Sequence, residues 1–332
     1  MINKNELELY IHIPFCARKC NYCDFLSFAA DEETRARYVD ALVYQIRAEG
    51  PGYSGRKVIS VYIGGGTPSV LSAEQTAKIM EAVRDSFNLS DMGRKRLIDN
   101  ELTDMNFKAG EEDIPPVRKK RSLFERIKGK PKLPAIEISM ECNPGTLTPE
   151  KLRSYKQTGI NRLSIGLQSA IPEELEALGR IHGIKDFLES FDMARDAGFD
   201  NINVDLMQAV PHQTLASWKK SLLMTAALRP EHISAYSLII EEGTPFYKQM
   251  NTKGSGFEKL LPDEDAERDI YHITKELLES AGYNRYEISN YAKPGYACRH
   301  NIGYWTGHDY IGFGPGAASY LMTGADTAVR IR

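Results

Sequence analysis

Leu7, Leu9, Ile11 and Ile13 alternate with Glu8, Tyr10 and His12, a period of two that predicts a β-strand near the start of the chain. Pro14 ends it. From Thr34 to Glu49 the period becomes helical, with Tyr38, Leu42 and Ile46 on one face. Val58 to Ile63 predicts a second strand, which runs into Gly64-Gly65-Gly66-Thr67-Pro68-Ser69. Ser72 and Gln75 form a capping-box pattern that opens a helix with Ile79, Met80, Val83 and Phe87 on its apolar face. A third strand follows from the alternation of Ile136, Ile138 and Met140 with Glu137, Ser139 and Glu141. Further strands are predicted over Arg162 to Gln168, Ile202 to Leu206 and His232 to Leu238, with helices between them. Thr148-Pro149 supplies a cap and then proline at a first helical position. Gly159-Ile160, Gly198-Phe199 and Gly282-Tyr283 each read as a helix stop, a left-handed glycine before an apolar residue.

Six strand–helix units in succession imply parallel strands joined by crossover helices. An open doubly wound sheet and a barrel-like sheet both fit that count. The polar motifs all lie directly after strands, so parallel strands would bring them to one mouth. Residues 91–132 break the rhythm with mixed charge, Pro115-Pro116 and the basic run Arg118-Lys119-Lys120-Arg121. They predict an exposed, partly disordered insertion, its basic run a solvated loop before it is a membrane or acidic-partner contact. After Pro245 the pattern changes to a long helix from Asp263 to Ser280, then Arg285 to Tyr291 and a glycine- and aromatic-rich tail. The expected division is a barrel over 1–245 and a smaller region over 246–332 packed on it.

Composition narrows the setting. The 332 residues carry a formal net charge of −3, which gives no general case for binding nucleic acid. No apolar run approaches the ~20 residues of a membrane span, and the first residues lack the apolar core of a signal peptide. Five cysteines, three of them clustered, argue against a disulfide framework and for a reducing compartment. The expected location is the cytoplasm.

The clustered cysteines are Cys16, Cys20 and Cys23, directly after the first strand. Thiolates this close can wrap one soft metal centre. Structural zinc takes four protein ligands, so a zinc clip would need the distant Cys142 or His300. A cubic iron–sulfur cluster held by three cysteinates leaves one iron open to an amine and a carboxylate. Together with Tyr10-Ile-His-Ile-Pro-Phe15 and Asn21-Tyr-Cys-Asp-Phe25, the stretch resembles the cluster loop of radical S-adenosylmethionine (radical SAM) enzymes, in the coproporphyrinogen-dehydrogenase-like branch. The resemblance selects an α/β fold with a partial (β/α)6 TIM-like barrel. It implies a 4Fe-4S cluster on Cys16, Cys20 and Cys23, and S-adenosylmethionine beside it.

Gly64, Gly65, Gly66 and Thr67 match the family's Gly-Gly-Thr-Pro pattern, where glycine lets backbone groups approach the methionyl end. Glu141, Gln168, Arg180 and Asp205 stand in Glu-x-Asn-Pro, Gly-x-Gln-Ser, Gly-Arg-x-His and Asp-Leu-Met patterns that resemble the remaining cofactor contacts. Tyr10 and Tyr22 correspond to contacts beside the cluster. One departure is plain: Ala209-Val210 replaces the Gly-Leu that typically precedes the proline after Asp205. Cys142 and Cys298 read as buried thiols acting as small hydrophobes.

Two features separate the chain from the porphyrin-synthesising enzyme of this branch. Phe25 stands where that enzyme carries a further cysteine, and the cluster loop begins almost at once, without a longer N-terminal extension. His300-Asn301-Ile-Gly-Tyr304-Trp305 instead resembles the haem-binding motif of HemW-type haem chaperones. A neutral imidazole from His300 can ligate haem iron, and Tyr304 and Trp305 offer flat surface to the macrocycle. A histidine that only orders an aromatic cluster is the competing reading. The resemblance implies a haem chaperone that delivers haem to respiratory enzymes; the alternative is an oxygen-independent coproporphyrinogen III dehydrogenase. It also implies a flavodoxin or ferredoxin electron donor, peripheral membrane contact and a homodimer. Relatives continue past Gly312 to Gly316 through a further helical segment, so Val329 to Arg332 is expected to be a truncation.

Overall fold

The computed structural model describes residues 5–89, 134–324 and 327–331. The expected insertion at 91–132 lies outside the described residues. Six strands, β1 (Glu6–Ile13), β2 (Lys57–Gly65), β3 (Glu137–Cys142), β4 (Arg162–Gln168), β5 (Ile202–Gln208) and β6 (His232–Ser237), pair in parallel and in chain order. Between them run α1 (Glu32–Glu49), α2 (Ala73–Ser86), α3 (Pro149–Gln157), α4 (Pro172–Ala177), α5 (Ile184–Asp196) and α6 (Leu215–Ala227).

That order decides between the two sheets left open by the sequence. A doubly wound sheet reverses its strand order at a switch point, which sends helices to both faces. Here β1 to β6 never reverse, so right-handed crossovers put every helix between them on one face. The architecture is the partial (β/α)6 TIM-like barrel. The C-terminal residues supply α7 (Pro245–Met250), α8 (Glu264–Ser280), β7 (Asn284–Arg285), β8 (Asn290–Ala292), α9 (Arg299–Thr306), β9 (Tyr310–Phe313), β10 (Ser319–Met322) and β11 (Ala328–Ile331). β9 joins β1 in parallel and carries β10 and β11 at that edge; β8 and β7 extend the sheet beyond β6 in antiparallel pairing.

Local signals fold as the sequence predicts. Thr148 caps α3 by accepting from Lys151 N, and Ser72 and Gln75 form both bonds of the capping box on α2. Gly159, Gly198 and Gly282 all take positive φ.

The strand alternation has a second meaning. Leu7, Leu9, Ile11 and Ile13 are fully buried in the layer between sheet and helices. Their polar neighbours are buried as well, Glu8 at 0% exposure and His12 at 5%. The polar set faces the barrel interior, where Ser60, Glu137, Ser139, Arg162, Ser164, Asn203 and His232 are also buried.

The Ala209 departure is visible in the backbone: φ is +57° there. That left-handed conformation costs an L-residue about 1–2 kcal/mol and glycine almost nothing. Ala209→Gly is therefore expected to stabilise the chain by about 0.5–1 kcal/mol after the entropy of the added glycine is subtracted. A denaturant titration that gave a lower midpoint for the variant would contradict this.

Candidate functional site

The cysteine loop is pinned at both ends. Cys16 N donates to Phe28 O (3.0 Å) and Phe28 N donates to Pro14 O (3.0 Å), which closes the loop back on its start. His12 adds a clamp: its Nε2–H donates to Leu26 O (3.0 Å), leaving Nδ1 to accept from the Tyr10 hydroxyl (3.1 Å). Burial holds the His12 pKa below its usual value, so this neutral arrangement persists. Tyr22, within the loop between Cys20 and Cys23, packs against Leu178, Met207, Val210, Phe246 and Phe257.

The glycine turn lies against the same loop. Gly66 N donates to Ile13 O (2.8 Å) and Thr67 N to Phe15 O (2.6 Å). A Cβ on Gly66 would come within 2.6 Å of Phe15 O and 3.0 Å of Cys16 Sγ. Gly66→Ala is therefore expected to push the turn off the cysteine loop and cost about 1–3 kcal/mol. Thermal melting of the variant checks this, and an unchanged midpoint would show that the loops part freely.

Side chains complete a ring between two of the thiols. Cys16 Sγ lies 3.4 Å from Thr67 Oγ1, which accepts from Asn143 Nδ2 (2.8 Å). Asn143 Oδ1 accepts from Arg180 Nη2 (2.8 Å), and Arg180 Nη1 lies 3.4 Å from Cys20 Sγ. Thr67 and Asn143 follow β2 and β3 directly, and Arg180 lies between α4 and α5 after β4. Asn143 was not among the residues singled out from sequence, although Glu-x-Asn-Pro contains it.

Deeper in the mouth, Glu141 accepts from the Tyr62 hydroxyl (2.9 Å) and from Gly65 N (3.1 Å). Burial outweighs both bonds and raises its pKa from 4.5 to about 7. The protonated form is thus favoured by folding. Its contribution to stability is complete below about pH 4.5 and is lost as pH rises through about 7. Between pH 5 and 8 the unfolding free energy should fall by about 2–3 kcal/mol more than in Glu141→Gln. Parallel pH profiles for the two proteins would contradict that sign. Gln168, at φ +69°, accepts through Oε1 from the Tyr236 hydroxyl (2.9 Å). Asp205 accepts from Ser164 Oγ (3.0 Å) and Asn203 Nδ2 (2.7 Å), and burial raises its pKa.

The His-Asn-x-x-Tyr-Trp segment forms α9 and packs across the barrel interior near the N-terminal ends of the strands. His300 is buried, its Nδ1 2.9 Å from Ser60 Oγ, its ring stacked on Tyr62 at 5.2 Å and edge-on to Tyr304 at 5.0 Å. Ser60 precedes Gly64 by four residues, about 13 Å of strand. His300 therefore stands well below the cysteine loop. Burial lowers its pKa to about 3, and among the described residues its Nε2 has no hydrogen-bond partner. Asn301 Nδ2 donates to the Tyr286 hydroxyl (3.2 Å), while Tyr304 and Trp305 are 43% and 58% exposed. A cavity of about 220 Å³ lies between α9 and the mouth, lined by Tyr10, Tyr62, Arg162, Asp205, His300 and Tyr304 among others. A larger groove of about 510 Å³ over α4 and the start of α6 lies outside the barrel and contains none of the motif residues.

The Radical SAM superfamily model matches residues 10–225. Over 318 residues the chain is 36% identical to the heme chaperone HemW of Escherichia coli strain K12, covering 96% of this chain and 71% of that protein. The chain belongs to the radical SAM superfamily and to the HemW family within it. The heme chaperone HemW of Bacillus subtilis strain 168 is 35% identical, over 94% of this chain and 70% of that one. Among solved structures, the radical SAM enzyme coproporphyrinogen III oxidase (HemN) from Escherichia coli superposes with a TM-score of 0.71 at 24% identity. The match covers 94% of this chain and 64% of that one, and it shows the shared fold.

The radical SAM cluster site can be tested against the residues present. Among the described residues no three His, Cys, Asp or Glu side chains gather round a point as a single metal ion requires. The three thiols sit on one half-exposed loop, close enough to sense one another: burial raises the Cys23 pKa, and Cys20 and Cys16 add to the rise. Soft donors on a loop anchored to the glycine turn suit a multi-iron centre, whose assembly would release the thiol protons. Cys142 belongs instead to the hydrophobic core, and Cys298 Sγ donates to Glu137 Oε1 (3.3 Å).

Proposed function

We propose that this radical SAM protein is a haem chaperone. It holds a 4Fe-4S cluster through Cys16, Cys20 and Cys23, and S-adenosylmethionine along Gly64 to Thr67, Glu141, Gln168, Arg180 and Asp205. Haem is taken at α9, by His300, Asn301, Tyr304 and Trp305, and passed to respiratory enzymes. The observation that carries this reading is α9 itself, which joins a neutral, unpartnered imidazole nitrogen to two exposed aromatic faces in a HemW relative.

The bound cluster would supply an electron to the cofactor's sulfonium. The chain's own contribution is positional. Arg180 offers a guanidinium fork at the mouth, suited to a carboxylate. Glu141 ionises as a cationic ligand approaches, so cofactor binding strengthens as pH rises through about 7. With Ser60 Oγ as acceptor, His300 keeps its proton on Nδ1 and presents the Nε2 lone pair.

Haem does not fit beside His300 as α9 now lies, because a porphyrin macrocycle exceeds a cavity of about 220 Å³. Ligation therefore requires α9 to move away from β2. No helix among the described residues is long and apolar enough to cross a membrane. We place the protein in the cytoplasm, with a flavodoxin or ferredoxin as donor, a second copy of the chain as partner, and transient membrane contact at delivery. Anaerobic incubation of the reconstituted chain with coproporphyrinogen III should yield no protoporphyrinogen; conversion would overturn the chaperone reading.

A further inference from the structure

Arg162 opens β4 inside the barrel, 2% exposed, on the wall of the cavity of about 220 Å³. Among the described residues its Nε has no hydrogen-bond partner. Glu137, Asp205 and Glu141 act on its charge through space, but each carboxylate is hydrogen-bonded to other groups. Glu137 Oε1 accepts from Arg299 N (2.9 Å) and Cys298 Sγ (3.3 Å), which ties it to α9. Asp205 accepts from Ser164 and Asn203. A guanidinium presents five donors in a planar fork matched to a carboxylate, and its burial is costly unless such a group meets it. His300 Nε2, the other unpartnered nitrogen here, lines the same cavity.

We propose that the barrel interior is a carboxylate-binding site in which Arg162 receives the acid group. The cavity takes an acid arm a few carbons long and excludes a macrocycle. Tyr304 lines it and is also 43% exposed, which marks the side from which an arm enters. Two sources carry this chemistry: the propionate of a haem resting on Tyr304 and Trp305, or a free small carboxylic acid. Only the first rests on the haem reading above.

The test uses the full chain with haem, haem dimethyl ester and sodium propionate. Wild type should bind haem about tenfold more tightly than the ester, Arg162→Met should erase the difference, and Arg162→Lys should keep part of it. Equal binding of haem and ester, with millimolar propionate raising the melting temperature of wild type alone, would support the site with a free acid as its ligand. If neither haem nor ester binds while propionate still stabilises wild type, the haem reading falls and the carboxylate site stands. Equal haem and ester binding with no propionate effect overturns the proposal, and no response to any of the three overturns both readings. The ester comparison is made on wild type, so it decides even where Arg162→Met fails to fold.

Discussion

Replacing Cys20 by alanine is expected to leave the anaerobically reconstituted chain nearly colourless, with iron falling from about four per chain to below about one. The expectation follows from position. Cys20 Sγ faces Arg180 Nη1 at the mouth and closes the ring that runs through Asn143 and Thr67 to Cys16. Two remaining thiolates cannot hold a cube that three already leave open at one iron. The fold should survive, since Cys20 lies half-exposed on a loop between pinned ends, and the apo-protein's stability should change by less than about 1 kcal/mol. Cys142→Ala is the matched control. It removes a buried core thiol, so it should cost about 1 kcal/mol of stability while iron loading stays intact. Full iron in Cys20→Ala, or zinc in place of iron in wild type, would remove the cluster from this loop.

His300→Ala is expected to weaken haem binding about 100-fold, on the scale of an axial ligand lost with its support. It should also cost about 1–3 kcal/mol of stability, because Ser60 Oγ loses its buried partner and Tyr62 and Tyr304 lose the ring between them. Two readouts separate the effects. Added imidazole should restore the haem spectrum of the variant without restoring its melting temperature. Ser60→Ala should weaken haem binding by about tenfold through loss of the Nδ1 partner alone. A variant that loses stability and keeps its haem affinity would make His300 an ordering residue of the aromatic cluster.

The six barrel strands and the capped helices were legible because local rules decide them, whereas β9, β10 and β11 lie in a tail that reads only as glycine- and aromatic-rich. Ser72, Thr148 and Asp263 cap where their side chains can reach the first free N–H groups. The site was legible only where a motif marked it. Gly64 to Thr67 and the cysteine loop lie far apart in sequence and are zipped together by β1–β2 pairing, which sets Ile13 opposite Gly65. Arg162, Asn203 and His232 carry no mark in the sequence beyond their place in strands. Alternation in β4 to β6 looks the same whether the polar face meets water or a barrel interior, and only the long-range packing that buries that face separates the two. The placement of α9 is likewise long-range. Nothing local in Arg299 to Thr306 states that Glu8, Ser60 and Glu137 receive it.

The most direct test of the haem reading is a visible-absorbance titration of the anaerobically reconstituted full chain with haem. Saturation is expected at about one haem per chain, with the spectrum of a histidine-ligated haem that is lost in His300→Ala. Haem that stays free throughout the titration, or binds with the same spectrum in both proteins, would contradict it.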